Sequence, residues 1–276
     1  MSSHPRRTAG VLLASVTALL AAGIPAAAAA TPAPGPKPAP GTTEASKTPA
    51  PQPPVPDPHA TVAVLDLDAG ATTPVVRGED RAYDTASIVK VDILAALLLK
   101  AQDERRALTD EERGHAEPMI KRSDNDAADA LWKEIGQDPG LTAANQRLGL
   151  TSTTAGTSGR WGLTRTTASD QIRLLRAVFD DSARSPLTPD SRAYIRTLMG
   201  EVLPEQSWGV SAVNAAGTEL KNGWLQRTTT GLWDVNSIGE VTLGGHRCLV
   251  AVLSDGSASM SDGVSLVEQA ARAAVA

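Results

Sequence analysis

Apolar and polar positions divide this chain into stretches of different period. Thr61-Val62-Ala63-Val64-Leu65-Asp66-Leu67 reads as a strand, Asp68-Ala69-Gly70 as a turn and Thr73 to Arg77 as a second strand. Ala86 to Leu99 is an apolar, alanine- and leucine-rich run that predicts a helix, and Thr109 before Asp110-Glu111-Glu112 has the form of a capped helix start. The polar Ser123-Asp124-Asn125-Asp126 interrupts the helical pattern, which resumes from Ala127 to Ile135 and again from Leu141 to Leu148, closed by Gly149. Thr151 to Gly162 is a loop rich in Ser, Thr and Gly. Ile172, Leu175, Val178 and Phe179 then share one face of a helix over Ser169 to Phe179, and Thr188-Pro189 opens the next with a cap and a first-turn proline. Strands return at Leu220 to Leu225, Leu232 to Ile238 and Cys248 to Leu253, with Gly244-Gly245 as a hairpin turn, and Asp262 to Val275 is a terminal helix.

Two strands, a helical middle, three strands and a last helix predict an α+β domain. Its mostly antiparallel five-stranded sheet is flanked by helices and accompanied by an all-helical lobe, with the active site between sheet and lobe. This domain is expected to span residues 59–276. Before it, residues 31–58 are dominated by Pro, Ala, Thr and Gly and read as a disordered linker. Residues 1–30 combine His4, Arg6 and Arg7 with an apolar run from Val11 to Ile24 and the small residues Ala26 to Ala30. That is the pattern of a secretory signal peptide cleaved near Ala30, the alternative being an uncleaved membrane anchor. The protein is expected to be secreted or associated with the cell wall, with no transmembrane domain after cleavage.

Composition narrows the chemistry. A formal net charge of -5 without a dense basic run speaks against a nucleic-acid partner. The single cysteine, Cys248, allows no intramolecular disulfide and no thiolate cluster, and is expected to pack as a small hydrophobe. With no cysteine directly following the first apolar run, a bacterial lipoprotein anchor is not expected. No Gly-x-Ser-x-Gly elbow occurs, and His59, His115 and His246 do not suggest a Ser-His-Asp triad. Asp66, Asp124 and Asp126 lack metal-ligand spacing, so neither metal nor other cofactor is expected.

The candidate chemistry lies in three short motifs. Ser87-Ile88-Val89-Lys90 at a helix start puts a hydroxyl and an amine one turn apart, an arrangement that can activate a serine. Ser123-Asp124-Asn125 follows in the helical break, and Lys221-Asn222-Gly223 lies on a strand. In this order and setting they resemble the Ser-x-x-Lys, Ser-Asp-Asn and Lys-Thr-Gly signature of class A β-lactamases and penicillin-binding proteins. Thr164-Arg165-Thr166-Thr167 and Leu187-Thr188-Pro189-Asp190-Ser191-Arg192 look like the same family.

The resemblance implies a monomeric serine acyl hydrolase acting on β-lactams or D-Ala-D-Ala-type peptides of peptidoglycan. Ser87 would attack the carbonyl, with Lys90 as base, crowded by Lys221. Ser123 would bridge the amines and protonate the leaving nitrogen, while Lys221 attracts a substrate carboxylate. Asn125, Asn222 and Gly223 would contact substrate, Trp161 and Trp224 would form an apolar wall, and the backbone N–H groups of Ser87 and Leu225 would hold the oxyanion. Two departures stand out. Asn222 replaces the family's threonine or serine, and no glutamate occurs between Glu134 and Glu201, where class A enzymes carry the residue that activates the deacylating water. Weak β-lactamase turnover is therefore expected. Two alternatives remain: a catalytically silent cell-wall-binding protein of the same fold, or an efficient β-lactamase with another deacylation base. Ser254-Asp255-Gly256 and Ser261-Asp262-Gly263 imitate the second motif but end in glycine and are read as turns.

Overall fold

The computed structural model describes residues 57–182 and 184–275; the expected signal peptide and all but the last two residues of the expected linker lie outside them. Five strands, β1 (Ala60–Asp66), β2 (Val75–Arg77), β5 (Glu219–Gln226), β6 (Trp233–Leu243) and β7 (His246–Ser257), form one sheet in the order β2-β1-β7-β6-β5. Every pairing in it is antiparallel. Two very short strands, β3 (Tyr83–Asp84) and β4 (Arg165–Thr166), pair separately. The helices are α1 (Val89–Asp103), α2 (Asp110–Lys121), α3 (Asn125–Glu134), α4 (Gln137–Leu148), α5 (Ala168–Phe179), α6 (Pro189–Gly200) and α7 (Met260–Ala274).

The apolar run at Cys248 is explained by its place in the middle of the sheet. Leu249, Ala251 and Leu253 belong to the core shared with α1 to α6, whereas Cys248, Val250 and Val252 join Val267 and Ala271 of α7 on the other face. Side chains alternate across a strand, so a strand covered on both faces reads as a continuous apolar run. Burial pushes the Cys248 thiol up to about 11, in keeping with a packing role. The turn between β6 and β7 uses Gly244 and Gly245, both at positive φ (57° and 88°), which a tight hairpin favours.

Local signals fixed most helix starts. Thr109 and Glu112 form a reciprocal capping box on α2, and Thr188 caps α6 with Pro189 in its first turn. The long apolar helix is α1, buried on nearly all sides from Val89 to Leu99. Some expectations need correction. The second strand shrinks to three residues, α4 begins at Gln137, and Ser254-Asp255-Gly256 lies within β7, where Asp255 pairs with Arg81 at 2.7 Å. Ser261-Asp262-Gly263 lies in the first turn of α7, where Ser259 is the cap. A terminal glycine is compatible with either element once tertiary packing fills the space around it.

Candidate active site

Ser87 does not begin the long helix. It sits in a single 3-10 turn, Ala86–Ile88, ahead of α1, and Ala86 before it adopts φ 48°, a conformation costly for a residue with a side chain. The surroundings hold this turn in place. Asn236 on β6 donates from Nδ2 to the carbonyls of Asp84 (2.9 Å) and Thr85 (3.1 Å), and its Oδ1 accepts from Ser254 N at 3.0 Å. Thr85 N donates to Thr164 O at 2.8 Å. The buried Asp84 carboxylate meets Arg227 and Arg165. On the sheet side, a Cβ on Gly223 would lie 2.7 Å from the backbone nitrogens of both Ser87 and Ile88. The glycine of the third motif therefore serves close approach of β5 to the Ser87 turn.

The second motif is a helix start. Asp124 caps α3 by accepting from Ala127 N at 2.9 Å, Asn125 is the first helical residue, and Ser123 lies just outside at φ 59°. The three motifs converge on one oxygen. Lys90 Nζ donates to Ser123 Oγ (3.2 Å), Ser123 O (2.6 Å) and Asn125 Oδ1 (2.7 Å), while Lys221 Nζ donates to Ser123 Oγ (3.0 Å) and Asn222 O (2.8 Å). Among the described residues no hydrogen bond joins Ser87 Oγ to Lys90, the serine lying in the 3-10 turn and the lysine in the first turn of α1.

Both amines are buried, with 0 % and 1 % exposure. Burial pulls Lys90 down to about 7, against the opposing pull of the Asp124 and Asp129 carboxylates. Burial, and then the Lys90 charge, hold Lys221 well below the usual lysine range. Desolvation thus outweighs the amine crowding expected from sequence. A hydroxyl that accepts from two amines has its own O–H free to point elsewhere, and Asn125 Nδ2 has no protein partner among the described residues.

Two substrate-binding expectations are corrected. Strand β5 is an edge strand, and Arg227 N donates to Leu232 O across the hairpin that continues the β5–β6 register, so odd-numbered peptides of β5 face β6. Asn222 O, turned instead to Lys221 Nζ, gives the same parity. Leu225 N–H therefore belongs to the ladder, and the neighbouring N–H on the free edge is that of Trp224. Asn222 is the second correction. Its Nδ2 donates to Gln206 O (2.8 Å) and Trp208 O (2.9 Å), leaving no donor for a substrate carboxylate, while its Oδ1 is buried without a partner. It ties the segment before Val210 to β5, where Trp208 and Trp224 pack with ring centroids 5.8 Å apart.

The loop side is poor in acid. No Asp or Glu occurs from Thr151 to Ser169. Asp170 instead accepts from Ser152 N (2.7 Å) and Thr153 Oγ1 (2.8 Å) at the loop base. Glu134 pairs with Lys100. Trp161 lies with its ring centroid 4.8 Å from Lys90 Nζ and donates from Nε1 to Asp129 Oδ1 at 2.7 Å. Sequence reading missed Asn236, Asp84 and Asp129. The one usable signal was an asparagine inside the apolar strand pattern around Val235 and Ile238. No group of His, Cys, Asp and Glu suited to a metal occurs among the described residues.

Comparison with known proteins places the fold. Residues 113–276 match the model of the beta-lactamase enzyme family. The TLA-3 extended-spectrum beta-lactamase superposes with a TM-score of 0.67 at 18% identity, covering 78% of this chain and 91% of that one. PBP-A does so with 0.65 at 21%, over 79% and 89%. A PBP-A mutant, solved as an acyl-enzyme complex with penicillin G, gives 0.64 at 21%, over 78% and 88%. These structures share the fold. A protein named "Putative lipoprotein LppW" from Mycobacterium tuberculosis is 30% identical over 166 residues, which are 58% of this chain. The chain spans about half the length of the curated relatives it matches. With a five-stranded antiparallel sheet, the helices that flank it and a family match over more than half its residues, the chain belongs to the beta-lactamase enzyme family.

Proposed function

We propose that this protein is an exported serine acyl hydrolase whose Ser87 takes the acyl group of a β-lactam or a D-Ala-D-Ala-type peptide and releases it slowly. The observation that carries the reading is Ser123 Oγ held between two buried amines, at 3.2 Å from Lys90 and 3.0 Å from Lys221. A lysine that titrates near neutral pH supplies a base at working pH, which activates an otherwise weak nucleophile. The bridging hydroxyl offers its proton to the leaving nitrogen, and the N–H groups of Ser87 and Trp224 are the candidates for the oxyanion. Asn125 Nδ2 is available to a substrate amide. Slow release follows from the loop, which contributes no carboxylate to activate water.

Residues 59–276 would form the catalytic unit, following a signal peptide and a linker, and export agrees with the lipoprotein name of the Mycobacterium relatives. Cys248, buried in β7, offers no lipidation position. Among the described residues no helix is long and apolar enough to cross a membrane. Labelling with a fluorescent penicillin tests the reading: the intact protein should be labelled and Ser87→Ala should not. An unlabelled wild type would point to a silent binding protein.

A further inference from the structure

Trp161 enters the site on a 3-10 turn, Trp161–Leu163, between α4 and β4. Backbone and side chain fix it. Thr164 N donates to Trp161 O at 3.0 Å, and the carbonyl of the same Thr164 accepts from Thr85 N beside the nucleophile. Gly162 packs beside the Ser87 turn, where a Cβ on it would make an ordinary contact with Ala86 Cα at 3.9 Å. Asp129 then sets the indole by accepting its N–H at 2.7 Å. Asp129 stands four residues after Asn125 on α3, on the same helix face. One face of α3 thus holds the Lys90 amine through Asn125 and the ring above it through Asp129.

The amine is enclosed as a result. Ser123 O, Ser123 Oγ and Asn125 Oδ1 surround Lys90 Nζ, and the indole centroid lies 4.8 Å away; the neutral amine donates to only two of these partners, which leaves one lone pair to act as base. Hydrolysis of an ester on Ser87 needs a water beside both the ester carbonyl and a base. The water oxygen bonds to the acyl carbon, the bond from that carbon to Ser87 Oγ breaks, and the proton taken by the base returns to Ser87 Oγ. A water served by Lys90 would need to sit within about 3 Å of Nζ. The ring crowds that place.

We propose that Trp161, oriented by Asp129, is a positioning residue that shields the Ser87 ester from water on the Lys90 side. Slow release is then a built property of the site as well as a consequence of the missing glutamate. The inference rests on the acyl-enzyme reading above and adds a control on its lifetime.

The test is a chase of preformed penicilloyl-enzyme followed by intact mass spectrometry. Trp161→Ala should shorten the adduct lifetime about tenfold, the factor that ~1.4 kcal/mol off a barrier produces. Trp161→Phe, which keeps a ring but loses the N–H, guards against a misfolded alanine variant and should fall between. Asp129→Ala should release the indole and also shorten the lifetime, whereas Asp129→Asn still accepts from the N–H and should leave it near that of the wild type. A pH profile adds a readout that packing alone would not move. Lys90 faces Lys221 from β5 and Asp124 and Asp129 from α3, so removing the Asp129 charge in Asp129→Asn should shift the acylation midpoint to lower pH. Adducts that decay alike in the wild type and both Trp161 variants would overturn the inference alone. A longer-lived adduct in Asp129→Asn would also overturn it, by making Asp129 the deacylating base. A wild type that takes no adduct overturns the function reading and this inference with it.

Discussion

On the side of the site built by α3 and β5, two buried amines share one hydroxyl oxygen, each with its hydrogen-bond partners in place. The loop from Thr151 to Gly162 contributes an indole beside Lys90 and no carboxylate of its own, the indole N–H being held by Asp129 of α3. On the proposed function, the first side would supply what forming an ester requires, namely a base, a proton shuttle and oxyanion donors. The loop adds no carboxylate that could activate water for breaking one. If Ser87 takes an acyl group as proposed, the difference teaches that its formation and release are separable in one fold, because they would draw on side chains from different elements.

The comparison breaks most completely at the nucleophile. Ser87→Ala should abolish the covalent adduct in intact mass spectra, and a persisting adduct would move the chemistry to another residue. Lys90→Met should lower the acylation rate about a thousandfold, within the range removal of a general base produces. In the wild type that rate should climb as pH rises through about 7, where Lys90 loses its proton, and then level off. A flat profile would remove Lys90 as the base. Ser123→Ala should cost about a hundredfold in acylation by stopped-flow, since both amines lose their shared acceptor and the leaving nitrogen its donor.

These effects fall on residues legible in the sequence because their chemistry demands particular residue types at particular spacings. What supports them was less legible. Asn236 reaches the nucleophile turn from a strand more than 140 positions away, and a lone buried asparagine has no periodicity to reveal it. The choice between Leu225 and Trp224 depends on which edge of β5 is free, which follows from sheet order and register. Asn222 was legible as a departure, but its partners lie on a connecting segment with no pattern of its own. The five-stranded sheet was legible because turn residues separate its apolar runs, whereas the two-residue strands β3 and β4 are too short for any pattern.

A smaller effect probes how the sides are joined. Gly223→Ala would press a Cβ against the backbone nitrogens of Ser87 and Ile88, and should slow acylation about tenfold, as a misplaced reacting group does. The smallest expected effect is on stability. Folding holds the Lys90 amine at about 7 where the ordinary value is 10.5, so between these values the unfolded chain carries a proton that the folded chain lacks. Stability therefore gains with rising pH in that window, the penalty being complete below it. Melting temperatures at pH 7 and 9 should show this gain reduced in Lys90→Met.

The most direct measurement separates the two steps on one preparation, by mixing the protein with a penicillin and following the mass of Ser87-containing peptide through formation and, after removal of free drug, through decay. Rapid, stoichiometric acylation followed by decay many times slower is the expected result. Turnover with no accumulating adduct would contradict it, because release would then keep pace with attack.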